Sequence, residues 1–90
     1  MRLEWDLQKA GANLRKHNVS FEEASSVFND PLSVTGEDPD HSIDERRLVT
    51  FGVSDSGRLL LVGHTERGSA IRIITAREAV PAERRLYEEG

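Results

Sequence analysis

The stretch that most constrains this chain runs from Arg58 to Arg77. Two apolar runs, Leu59–Val62 and Ile71–Ile74, flank the polar segment His64-Thr65-Glu66-Arg67-Gly68-Ser69. Each run is short, and the second is rich in β-branched residues, so both read as strands of one hairpin. Gly68 suits the left-handed position of a three-residue loop formed by Glu66, Arg67 and Gly68. That register pairs Thr65 with Ser69, His64 with Ala70 and Val62 with Arg72. His64 and Arg72 then share a face as diagonal neighbours, about 7–8 Å apart at their backbones. A two-residue loop would put them on opposite faces, because a slip of one residue flips every side chain.

Arg72 interrupts an otherwise apolar strand. Its bland reading is an edge-strand arginine whose stem covers apolar surface while its head reaches water. The sharper reading is an anion-binding arginine on one sheet face. His64, Arg67 and Arg77, close by in the chain, favour the sharper one.

Ninety residues, 37% hydrophobic and 31% charged, are expected to form one small domain over residues 1–90 with a modest core. Without cysteine there is neither a disulfide framework nor a thiolate metal site. His17, His41 and His64 lack metal-ligand spacing, so no metal or other cofactor is expected. No apolar run approaches the roughly 20 residues that span a bilayer. The N-terminus lacks the apolar core of a signal peptide, so a cytoplasmic protein is expected. The net charge of −4 argues against nucleic acid, but its distribution does not. Asn18 to Asp44 holds seven carboxylates and no Lys or Arg. All 12 basic residues lie in the remainder, which leaves room for a basic face beside an acidic segment.

Arg2 to Trp5 alternates as a short first strand. Asp6 caps a helix from Leu7 to His17, with Leu7, Ala10, Gly11 and Leu14 on one face and Lys9, Asn13 and Lys16 on another. Asn18 takes the left-handed exit. Trp5 reads as a core anchor rather than a base-stacking platform. Ser20 and Glu23 form a capping box opening a second helix, stopped by Asn29-Asp30-Pro31. A short strand is expected around Leu32–Val34. The acidic stretch Gly36 to His41 lacks the ligand spacing of a calcium loop and reads as solvated loop. Glu45–Val53 alternates as a strand, with Val49, Phe51 and Val53 inward and Arg46, Leu48 and Thr50 outward. Pro81 fits the first turn of a last helix. The expected fold is α+β: a small antiparallel meander sheet, two N-terminal helices on one face and a C-terminal helix.

These pieces together resemble the BrnT family of type II toxin ribonucleases. The matching stretches are Trp5-Asp6 with Lys9, Asn13 and Lys16-His17, then Val19 to Ala24, and Asp38-Pro39-Asp40-His41-Ser42. His64 to Gly68 with Ile71 to Arg77 matches best, and Glu83-Arg84-Arg85 with Tyr87 completes the pattern. No single piece is specific; their order and spacing are. The resemblance implies a RelE-like fold and a metal-independent endoribonuclease that inhibits translation. It also implies a cognate ribbon–helix–helix antitoxin, with operator DNA bound only through that antitoxin, and no membrane partner.

Carried over, the resemblance places catalysis on His64, Glu66 and Arg72, with Arg67, Arg77, Lys16 and Arg46 as RNA contacts. Cleavage needs the 2′-hydroxyl deprotonated, the pentacoordinate phosphate stabilised and the leaving 5′-oxygen protonated. His64 or Glu66 is expected as base or acid, and Arg72 with Arg67 as phosphate clamp. The acidic segment supports a second reading, a catalytically weak corepressor module bound by a basic antitoxin segment.

Overall fold

The computed structural model describes residues 2–38 and 46–89. Asp40, His41 and Asp44 of the acidic segment, and Glu45 at the expected start of a strand, lie outside them. Four strands follow one another as an antiparallel meander: β2 (Val34–Glu37), β3 (Arg47–Val53), β4 (Leu59–Arg67) and β5 (Ala70–Glu78). β1 (Arg2–Glu4) joins the far edge parallel to β5, giving a mixed five-stranded sheet in the order β1-β5-β4-β3-β2. α1 (Leu7–His17) and α2 (Phe21–Ser26), with a 3₁₀ turn at Val27–Asn29, precede the meander, and α3 (Pro81–Glu89) follows it.

The core lies between α2 and one sheet face. Val19, Phe21, Ala24 and Val27 pack against Leu60 and Val62 of β4 and Ile73 and Ala76 of β5. Trp5 joins as expected, edge-on to Phe21 with ring centroids 6.1 Å apart.

On β3 the inward face is the reverse of the expected one. Leu48, Thr50 and Gly52 are buried, whereas Val49, Phe51 and Val53 point away from the helices. The cause is the 3₁₀ turn. A Cβ on Gly52 would lie 2.6 Å from Val27 Cγ1, so only glycine lets the turn sit on the strand. Apolar count misleads here because the face that packs most tightly carries the smallest residue.

α1 also differs from expectation. Leu7 is 82% exposed and Leu14 48%, and the helix's buried residue is Asn13. Beyond residue 72, β5 has no neighbouring strand on the α1 side. Asn13 stands in for one. Its Oδ1 accepts from Ala76 N at 3.0 Å, and its Nδ2 donates to Ala76 O at 2.8 Å and Val19 O at 2.9 Å. A buried sheet edge must have its amides satisfied, and that need outranks burying leucine.

The capping box is half formed. Ser20 Oγ accepts from Glu23 N at 3.0 Å, but the Glu23 carboxylate turns away to Arg58. A charged forked partner outcompetes a neutral amide. Ser54 and Ser56 also donate to Glu23, and Arg58 continues to Glu78 and Asn18 O, tying α2 to the β3–β4 turn. The Arg58 guanidinium holds the Glu23 carboxyl down to about 2 from 4.5. Stability from this pairing is therefore complete above pH 4.5 and lost as pH falls through about 2. We expect Glu23→Gln to cost about 2 kcal/mol at pH 7. Urea melts of wild type and variant should converge near pH 2; a constant gap across that window would mean the ion pair contributes nothing.

Candidate functional site

The hairpin loop decides the site. Gly68, at φ 61°, and Ser69 form a two-residue connection, with Arg67 opposite Ala70. Left-handed glycine first and an ordinary second residue is the type II′ pattern, whose twist matches the strands. Thr65 therefore faces Arg72, and His64 faces Ile73. The expected shared face of His64 and Arg72 is corrected: they lie on opposite faces. The same glycine serves either loop length, so its identity alone did not fix the register.

His64 is 2% exposed on the helix-covered face, edge-on to Phe28 with centroids 5.1 Å apart. Its Nε2 and Thr50 Oγ1 are 2.7 Å apart, and Thr50 Oγ1 is 2.7 Å from Thr35 Oγ1. Burial lowers its pKa, against the weaker opposing pull of Glu66. This is a neutral core histidine, not one poised over a substrate. Glu66 shares its face, at the exposed hairpin tip.

The opposite sheet face carries the arginines. One cross-strand row runs Arg47, Thr65, Arg72, Glu4 over β3, β4, β5 and β1. Arg67 lies two residues beyond Thr65 on the same face. Adjacent strands are about 4.8 Å apart, so Arg47 and Arg72 stand roughly 10 Å apart with Thr65 between them, within reach of one phosphate group. Thr65 is 1% exposed, and its hydroxyl has no hydrogen-bond partner in the described structure. A buried hydroxyl without a partner is costly for folding alone; His64 Nδ1, behind the sheet, is the other such atom among the described residues. Gly63 continues the face, keeping it shallow: a Cβ there would lie 2.8 Å from Thr75 Cγ2.

Arg72 itself donates to Glu4 Oε2, its cross-strand neighbour on β1, at 2.9 Å. Arg77 is committed elsewhere. Both its terminal nitrogens donate to Glu83 at 2.8 Å, and Glu83 also caps Val80 N at 2.9 Å. The Glu83 contact raises the Arg77 pKa, and Arg77 lowers that of Glu83. Arg77 is thus the anchor of α3. Arg46 donates to Glu37 at 2.7 Å on the β2 edge, away from Arg72. Lys16 lines a cleft between α1 and β5, with Lys9 and His17. The row thus brings together Arg72 and Arg67 from the expected set, and adds Arg47, Thr65 and Glu4. Alternation alone places Arg47 on a strand face, but only the register puts it opposite Thr65. Among the described residues there is no grouping of His, Asp and Glu that could hold a metal, and no helix long and apolar enough to cross a membrane.

The family profile described as "Ribonuclease toxin, BrnT, of type II toxin-antitoxin system" matches residues 5–83. The chain belongs to the BrnT family. The crystal structure of the Brucella abortus ribonuclease toxin BrnT has the same fold: TM-score 0.66 at 23% identity, covering 89% of this chain and 97% of that one. A search of curated proteins finds no match. BrnT membership makes the chain a ribonuclease toxin of a type II system, with an antitoxin as partner.

Proposed function

We propose that this chain, as one toxin domain over residues 1–90, cleaves RNA without a metal ion and so inhibits translation, on the sheet face that carries Arg47, Thr65, Arg67 and Arg72. The single observation behind this reading is the arginine row flanking a buried, unpartnered hydroxyl. Guanidinium groups fixed before the substrate arrives stabilise the charge that builds on a pentacoordinate phosphate. Charge stabilisation carries the larger share of catalysis, because no acid–base pair shares this face with Arg72. Glu66, whose strand position puts it on the His64 face, stands at the exposed tip beside Arg67 and is retained for proton transfer around the hairpin end; buried His64 is not.

The cognate antitoxin is proposed to be a ribbon–helix–helix protein that contacts operator DNA for the pair. The acidic residues between Asn18 and Asp44 favour a basic segment of that antitoxin as their contact. The test is direct. Purified protein is mixed with single-stranded RNA in excess chelator, and is also expressed in a bacterial host with and without antitoxin. Cleavage in chelator and growth arrest relieved by antitoxin are expected. Intact RNA and unaffected growth, with antitoxin still bound, would leave the corepressor reading instead.

A further inference from the structure

We infer that the cleft between α1 and β5 is a second phosphate subsite, holding the RNA backbone next to the phosphodiester that the arginine row takes. The inference rests on the ribonuclease reading above. The cleft has a volume of about 220 Å³ and is lined by Lys9, Ala12, Asn13, Lys16, His17, Ile74 and Thr75, with no carboxylate among them. Its floor is rigid. Asn13 is fully engaged with the β5 backbone, and Thr75 Oγ1 donates to Asn13 Oδ1 at 3.2 Å.

Cations without a carboxylate ion-pair partner gather in this cleft. Arg2, Arg46, Arg58, Arg72, Arg77 and Arg84 each pair with a carboxylate. Among the described residues, Lys9, Lys16 and His17 make no ion pair within 4.0 Å; Arg15 and Arg85 make none either, but they stand singly, outside the lining of the cleft. Lys16 and His17 could be explained by the helix C-terminus, where cations suit the dipole. Lys9 sits in the first turn, where the dipole disfavours a cation and the N-cap carboxylate of Asp6, which also interacts with Arg72, is its electrostatic partner; its position seven residues before Lys16 puts both lysines on one side of the helix. Two ammonium groups on one flank of a cleft, with Ile74 and Ala12 as apolar wall, suit a nucleotide: phosphate to the lysines, sugar or base against the wall.

The cleft adjoins the arginine row along β5, with the Asp6 carboxylate in electrostatic reach of both Lys9 and Arg72. A register shift between Gly63 and His64 leaves β5 with an extra residue at Ile74, and the bulge directs Ile74 and Thr75 toward α1. Thr75 pairs with Gly63, two residues before Thr65 on the same face. The step from Arg72 to Thr75 is about 7–10 Å along the strand, comparable with the step between successive phosphates of an extended strand.

The test compares wild type, Lys9→Gln/Lys16→Gln and the charge-retaining Lys9→Arg/Lys16→Arg. Binding is read with a fluorescent single-stranded DNA oligonucleotide, which lacks the 2′-hydroxyl and is not cleaved, across a chloride titration. The Gln pair is expected to bind about tenfold more weakly at low salt, with the log–log salt slope reduced by roughly 1.4, two contacts at about 0.7 each. RNA cleavage should show a raised KM with kcat kept, and the Arg pair should restore both. An unchanged slope and KM in a folded Gln pair overturns the subsite. If wild type cleaves no RNA while the slope still falls, the subsite stands and the ribonuclease reading fails. At matched ionic strength, inorganic phosphate should displace the oligonucleotide no better than chloride; selective displacement by phosphate marks a free-anion site and overturns the assignment.

Discussion

Asn13→Ala is expected to lower stability by at least 3 kcal/mol, roughly, a large share of what a domain of this size has. The wild-type amide makes four hydrogen bonds, to Ala76 N, Ala76 O, Val19 O and the Thr75 hydroxyl. Alanine strands those groups in a region that is 7% exposed at Asn13, where water does not readily replace the lost partners. Each stranded buried group costs about 1–3 kcal/mol, and the missing side-chain volume adds a cavity term. For a 90-residue chain the melting temperature should fall by about 12 °C or more. Asn13→Asp keeps the acceptors and loses the donors, so it should also be destabilised, and more at neutral pH than when its carboxyl is protonated. A shift of only 2–3 °C for the alanine variant would mean that water satisfies the β5 edge and α1 docks by other contacts. The functional consequence follows from position. Asn13 fixes α1 against β5 and so sets the width of the cleft between Lys16 and Thr75.

How much of this was legible without coordinates depends on which physical effect decides each feature. Caps and stops are local, and these were readable: Asp6 accepts from Gln8 N and Lys9 N, and Asn18 takes φ 58°. The long strands were readable from alternation, with ends moved by a few residues, but β2 was not: the expected Leu32–Val34 overlaps it only at Val34, and Gly36-Glu37, read as loop, complete it. Face assignments were not, because they depend on what packs above the sheet. Thus Gly52 outranked Phe51 on the inward face of β3, and Asn13 outranked Leu7 and Leu14 on α1. The site suffered most from register, since one residue of loop length moved His64 behind the sheet. Of the expected site residues, Arg72 and Arg67 share the face that carries Arg47 and Thr65, with Arg72 paired to Glu4; Arg77 and Arg46 pair with Glu83 and Glu37, and Lys16 stands at a separate cleft. Nothing in the local sequence separates Arg77 from Arg72. Only the long-range partner does, Glu83 on α3 for one and Glu4 on β1 for the other.

Arg72→Ala is expected to lower the single-turnover rate of RNA cleavage by about 10²–10³, the range seen when one preorganised donor to a developing oxyanion is removed. The competing explanation is structural: Arg72 pairs with Glu4 across β5 and β1, at 2.9 Å, and its loss would loosen β1. Two comparisons separate these. Glu4→Gln breaks the same ion pair but leaves the guanidinium over the row. A structural role predicts equal losses for Glu4→Gln and Arg72→Ala; a phosphate role predicts that Glu4→Gln cleaves within a few-fold of wild type. The pair is partly exposed, so its own stability contribution is about 1 kcal/mol or less, and both variants should melt near wild type. Arg72→Lys keeps charge but loses the planar fork, so it should fall between wild type and alanine. His64→Gln supplies the second comparison. It removes a buried ring packed on Phe28 and should lower stability, while the cleavage rate of the folded fraction stays within a few-fold, because the ring lies behind the sheet. If Arg72→Ala cleaves as fast as wild type at equal folded concentration, the arginine only secures β1 and the reactive face is elsewhere. If His64→Gln loses activity as steeply as Arg72→Ala without losing fold, proton transfer reaches the substrate through the sheet, and the reading of His64 as a core residue is wrong.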